Sequence, residues 1–146
     1  MSAPHILAAI PHRGPMLLVD EIVSRDERQI ICLKTFSPDE FFFQGHYPGR
    51  PIVPGVILCE SAMQAGAVLL SQFLGGEGDE RVPVATRLNN VKFKRVVRPG
   101  ETITCTVTLR ERLADAFFLA AKVTCDGQLA ARLDFGCTAV ALEDAP

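Results

Sequence analysis

Tryptophan is absent from this 146-residue chain, tyrosine occurs once and histidine three times. The nine phenylalanines form no pattern with basic residues of the kind that binds single strands, and each imidazole can be weighed singly. Neither sign of charge dominates: 15 Lys and Arg against 17 Asp and Glu leave a net charge of −2. That balance argues against a face that wraps nucleic acid, which depends on neutralising many phosphates. There is no C-x-x-C pair and no H-x-x-x-H spacing, so a zinc site is not expected. The five cysteines, Cys32, Cys59, Cys105, Cys125 and Cys137, are odd in number and widely spaced. They read as small buried hydrophobes with free thiols, in keeping with a reducing compartment. Gly75-Gly76-Glu77-Gly78 follows a helical stretch and lacks the Lys-Ser/Thr ending of a phosphate cradle. No cofactor is expected. Met1 to His5 lacks the basic and apolar regions of an export signal, so a cytoplasmic location is the expectation. The run Val56 to Leu74 comes close to membrane-spanning length, but Glu60, Gln64 and Gln72 interrupt it, which favours a buried helix.

What is present is ordinary globular material with an apolar excess. Hydrophobic residues make up 48% and charged residues 22%, a balance that suits an oligomer or an apolar ligand. One domain over 1–146 is the simplest parse, since a chain of this length buries about 68–70% of its unfolded surface. His5 to Ile10 reads as a short helix ended by Pro11, Met16 to Val23 as a strand, and Ile30 to Phe36 as its hairpin partner. An irregular loop over 41–55 carries Pro48, Pro51 and Pro54, and a helix follows from about Gly55 to Leu74, stopped by Gly75-Gly76. Strand patterns resume at 82–97, 101–112, 116–126 and 129–142, with Asp126-Gly127 as a hairpin turn. Strands on both sides of one long helix point to an α+β protein, an antiparallel β-sheet wrapped around a central helix.

The chemistry concentrates where the loop meets that helix. His46 is a natural base because imidazole titrates near neutrality, and Glu60, among Val56, Ile57 and Met63, suits the part of an acid in an apolar surround. The amides from Gly55 onward open a helix, where unpaired donors and the positive dipole end meet an oxyanion. Base, acid and oxyanion donors are what elimination of water from a β-hydroxyacyl thioester requires. Taken singly, His46 could serve the loop backbone and Glu60 a favourable helix dipole; the joint spacing argues for chemistry. His5 falls on an exposed turn, and His12 reads as positioning the first strand. Both stay outside the expected site.

Gly45-His46-Tyr47-Pro48-Gly49-Arg50-Pro51-Ile52-Val53-Pro54-Gly55-Val56, with Glu60 and Gln64, resembles the signature of the FabZ-type (3R)-hydroxyacyl acyl-carrier-protein dehydratases, which have the hot-dog fold. The glycine stands nine and the carboxylate fourteen residues after the histidine. Pro11 to Asp20 and Phe93 to Glu101 resemble further stretches of that family. The resemblance implies that His46 is the base, that Glu60 is the acid or water-orienting group, that the Gly55 amide binds the thioester carbonyl and that Gln64 supports Glu60. It implies an acyl carrier protein as the partner that brings the substrate, and a homodimer, or a hexamer of three dimers, in which His46 and Glu60 of one site come from opposite subunits. Glu at position 60 separates it from the dehydratase-isomerases of the FabA type, which carry Asp there. Tyr47 departs from the commoner Phe. Lys92, Lys94, Arg95 and Arg98 are weighed equally as a carrier-docking patch and as a solvated strand face. The rival functions are a hot-dog acyl thioesterase and a non-catalytic acyl-binding protein.

Overall fold

Small side chains on one helix allow a sheet to close around it. The computed structural model describes residues 2–144. Its long helix, α2 (Gly55–Leu70), follows a short α1 (Ser2–Ala9) and two strands, β1 (Glu21–Arg25) and β2 (Gln29–Thr35). Four longer strands complete the chain: β3 (Arg81–Phe93), β4 (Thr102–Leu113), β5 (Ala116–Cys125) and β6 (Gln128–Ala141). They form one six-stranded antiparallel sheet in the order β1-β2-β4-β5-β6-β3. The architecture is α+β, a hot-dog fold in which the sheet is the bun and α2 the filling.

Ala62, Ala65 and Ala67 are buried on α2, and at Gly66 even a methyl group would lie 2.7 Å from the Phe135 ring of β6. Absence of bulk there sets how closely helix and sheet approach. The facing strands alternate as a half-buried sheet should: Ile103, Cys105, Val107 and Leu109 of β4, and Phe117, Leu119, Ala121 and Val123 of β5, turn inward. Each fully buried Leu, Ile or Phe contributes about 1.5–3 kcal/mol. Although α2 with its following turn is long and apolar enough to cross a membrane, 61% of that window is buried inside the fold. It is the core helix.

The expected Asp126-Gly127 hairpin is present, with φ of 51° and 76° at its two central residues, the left-handed pair of a type I′ turn. The first helix runs Ser2–Ala9 rather than from His5 to Ile10, the long helix ends at Leu70 rather than 74 and passes into a 3-10 turn over Ser71–Phe73, and two expected strands shorten. Met16 to Asp20 does not join the expected first strand, which begins only at Glu21, because polar side chains of α2 take the backbone groups of Met16 and Leu18: Gln64 Oε1 accepts from Leu18 N–H, Gln64 Nε2 donates to Met16 O, and Ser61 Oγ donates to Leu18 O. The third expected strand stops at Phe93 rather than 97. Val97 O instead accepts from Val53 N–H at 2.7 Å, anchoring the loop that precedes α2.

Candidate active site

Two buried attachments hold that loop. Besides the Val53 to Val97 bond, Lys34, 6% exposed, places its ammonium 2.9 Å from Glu40 and 3.6 Å from Asp20, fixing the turn that leads into Phe41–Gln44. Beyond it His46 is half-buried, its ring 4.7 Å from that of Tyr47, which adopts a left-handed φ of 56°. His46 Nδ1 lies 3.0 Å from Ile52 O. A carbonyl can only accept, so Nδ1 carries the proton and Nε2 keeps the free lone pair that a base requires.

At the start of α2, Pro54 offers no side-chain cap. The Gly55 and Val56 N–H groups find no acceptor among the described residues, leaving the donors and positive dipole end that suit an oxyanion. At Gly55 a Cβ would sit 2.8 Å from the half-exposed Phe93 ring, which would have to move to admit it. One turn on, the half-buried Glu60 carboxylate accepts from Gln64 Nε2 through Oε2 at 2.8 Å. Gln64, 1% exposed, is wholly engaged, tying Glu60 to Met16 and Leu18.

Glu60 opens onto two concavities. One, of about 270 Å³, is lined by His12, Gln64, Met63 and the Val82–Ala85 stretch of β3. The other, of about 500 Å³, is an apolar trough of Met16, Val56, Ile57, Leu88, Val91 and Phe93. His46 lines neither. Within one chain Val56 is 72% exposed, so it lines the trough with Glu60 without enclosing the carboxylate.

Residues 10–134 match the model of the FabA-like domain family. The chain is 42% identical over 140 residues, 92% of its own length and 96% of the relative's, to the FabZ 3-hydroxyacyl-(acyl-carrier-protein) dehydratase of Oenococcus oeni. The chain belongs to the FabA-like family. Its similarity to the FabZ dehydratase of Rickettsia africae is 36% over 131 residues, covering 89% of this chain and 90% of that one. Among solved structures, the dehydratase heterocomplex ApeI:P of Xenorhabdus doucetiae superposes with a TM-score of 0.78 at 15% identity, covering 91% of this chain and 89% of that one. The PaaI protein of Escherichia coli superposes with a TM-score of 0.66 at 17% identity, covering 93% and 90%. These two likenesses are of fold.

Within this FabA-like chain the structure brings Gln64 to Glu60 but leaves His46 outside both concavities that Glu60 lines. It also brings in a residue that sequence reasoning set aside: His12 Nε2 lies 3.7 Å from Glu60 Oε2. Nothing in the spacing of residues 12 and 60 signals this, because the pairing depends on how the N-terminal segment docks on α2. Of the basic cluster, Arg95 is committed to Glu101 at 2.9 Å and Asp126 at 3.4 Å. Its guanidinium bridges the two carboxylates of the Glu101, Cys125 and Asp126 group, whose donor atoms otherwise lie close enough for a metal ion. The five cysteines are free and buried, and burial pushes the Cys32 and Cys105 thiols up to about 12 and Cys137 up to about 11. They are packing groups rather than nucleophiles.

Proposed function

We infer that the chain dehydrates a (3R)-3-hydroxyacyl group carried on acyl carrier protein to the trans-2-enoyl product, a step of fatty acid biosynthesis. His46 Nε2 removes the proton at C2, and the resulting charge spreads onto the thioester oxygen, held by the Gly55 N–H. As the C2–C3 double bond forms, the C3–O bond breaks, and the hydroxyl takes the proton of Glu60 and leaves as water. The imidazolium then returns its proton through solvent to the Glu60 carboxylate.

The observation that carries this reading is the hydrogen bond from His46 Nδ1–H to Ile52 O, which in the neutral ring keeps the Nε2 lone pair free, together with the donors without acceptors at the head of α2. A homodimer completes the site. What supports it is the terminal position of the 13-residue β3 in the sheet together with uncovered apolar side chains on and beside it: Val84, Leu88, Phe93 and Val56. A second copy against β3 would cover them, close the trough over Glu60 and bring in its own histidine.

The carrier is an acidic protein in this reading, and Lys92 is the part of the basic cluster best suited to meet it. Its direct neighbour across the sheet is Arg132, whose own neighbour is Lys122. Like charges directly opposite one another disfavour the sheet unless something anionic offsets them. Incubation with a 3-hydroxyacyl carrier substrate, with products read by mass spectrometry, tests the function: loss of water supports it, release of free acid would make the protein a thioesterase, and neither would leave an acyl-binding protein.

A further inference from the structure

His12 is the described residue whose buried polar atom is unpartnered: its Nδ1 is shielded from solvent and meets no hydrogen-bond partner. The loop that carries it is rigidly tied. Arg13 donates through Nη1 to Ile10 O and His12 O and through Nη2 to Leu7 O, while Gln64 and Ser61 pin Met16 and Leu18 a few residues later. This scaffold brings the imidazole into the same cavity as Glu60, with Nε2 3.7 Å from Oε2.

The environment selects one tautomer of the neutral ring. A proton on Nδ1 would be a buried donor without an acceptor, and would turn the Nε2 lone pair toward a carboxylate oxygen. The neutral ring with its proton on Nε2 suffers neither, leaving only an unpaired acceptor at Nδ1, and it aims an N–H at Glu60. Other titratable groups around Glu60 do not compete: of the side chains lining its two concavities, only Cys59 and Cys137 besides His12 and Glu60 are ionisable, and burial pushes both thiols up, that of Cys137 to about 11.

We propose that His12 is a positioning residue which, together with Gln64, holds Glu60 by one oxygen, Oε2, so that the other, Oε1, faces the substrate. Gln64 already donates to Oε2 at 2.8 Å, and Oε1 takes no hydrogen bond from any described residue. At 3.7 Å the His12 contact is an electrostatic one. It shortens to a hydrogen bond when the site is occupied and drier, as such contacts do on passing from the free enzyme to the substrate complex. With both donors on the same oxygen, rotation of the carboxylate about its last bond is blocked, and the reacting oxygen is defined. The inference rests on the reading of Glu60 as catalytic.

The test compares His12→Phe, which keeps a flat ring without a donor, with His12→Gln, which restores a neutral donor, on a short pantetheine thioester. His12→Phe is expected to lower kcat about 10- to 100-fold with KM nearly unchanged, and His12→Gln to recover most of the loss. In a Glu60→Gln background, His12→Phe should cost nothing further, because the two act as one unit. Equal losses in the Phe and Gln variants, or a His12→Phe loss that persists undiminished beside Glu60→Gln, would overturn the proposal; a fully active Glu60→Gln protein would instead overturn the catalytic reading. A nitrogen-15 spectrum of the unaltered protein gives a check that no folding defect can confuse: His12 should carry a proton on Nε2, and a neutral ring with its proton on Nδ1 would refute the arrangement.

Discussion

Mixing His46→Ala chains with Glu60→Gln chains separates a site built within one subunit from one shared between two. Each variant alone is expected to lose about 10²- to 10⁴-fold in kcat, the usual worth of a general acid or base. In a two-fold dimer the two sites are equivalent, so a mixed dimer pairs one doubly damaged site with one that is intact. Equal mixing with free exchange makes about half the dimers mixed, and half of their sites work, so recovery should approach about one quarter of the unmodified rate per chain. Against parents two to four orders of magnitude down, that rise is large. The structural basis is that His46 lines neither of the concavities that Glu60 lines, and that the trough over Glu60 opens beside the terminal strand of the sheet. Exchange is verified with differently tagged chains by native mass spectrometry, and activity is read as hydration of a crotonyl thioester. Mixed dimers that form and yet show no activity above the parents would place both residues in one chain and refute the shared site.

Other expectations follow from packing and charge. Gly66→Ala gains about 1 kcal/mol of helix propensity but forces overpacking of about 1–3 kcal/mol against the buried Phe135 ring, 2.7 Å from the new methyl; the melting temperature should fall by a few degrees, and a rise would contradict the proposed closeness of helix and sheet. Hydrogen bonds from Arg81 hold the Asp79 carboxyl down from its ordinary 3.8 to about 2, so its contribution to stability is complete above the ordinary value and disappears as pH falls through that interval. Asp79→Asn should therefore flatten the decline in melting temperature over that range, and an unchanged slope would sink the assignment. With thiols at about 12 and about 11, native protein should react with maleimide far more slowly than protein in denaturant, as a time course by mass spectrometry would reveal. Lys92→Glu with Lys94→Glu should lower kcat/KM for carrier-bound substrate, with added salt masking the difference and pantetheine substrates unaffected; equal losses on both substrates would assign these lysines to the fold instead.

The elements governed by local chemistry were legible in the chain. Asp126-Gly127 favours a left-handed turn wherever two strands flank it, and the glycine at 55 and the apolar run after it announce a helix start. The segment Met16 to Asp20 was misread because its continuous apolar run resembles a buried strand, whereas Met16 and Leu18 bond to Gln64 and Ser61, more than 40 residues away, and only Asp20 reaches β2, donating to Leu33 O. Val96 and Val97 mislead in the same way: their side chains suit a ladder, but Val97 is occupied by Val53. In the candidate site His46, Gly55, Glu60 and Gln64 stand at a legible spacing. His12 could not be read there, because its nearness to Glu60 is a property of docking rather than of sequence.

The amide of Gln64 has a bearing on the order in which the molecule can mature. Its acceptor is used by Leu18, and its donors by Met16 and Glu60; a carboxylate could not replace the donors and a hydrocarbon could replace neither function. During synthesis the N-terminal third emerges first, yet residues 16–18 have no settled position until the chain has been made through residue 64 and α2 has formed. The same docking that orders this early segment also orients Glu60, so the acid and the N-terminus should become protected together, late and cooperatively, rather than each as its own stretch leaves the ribosome.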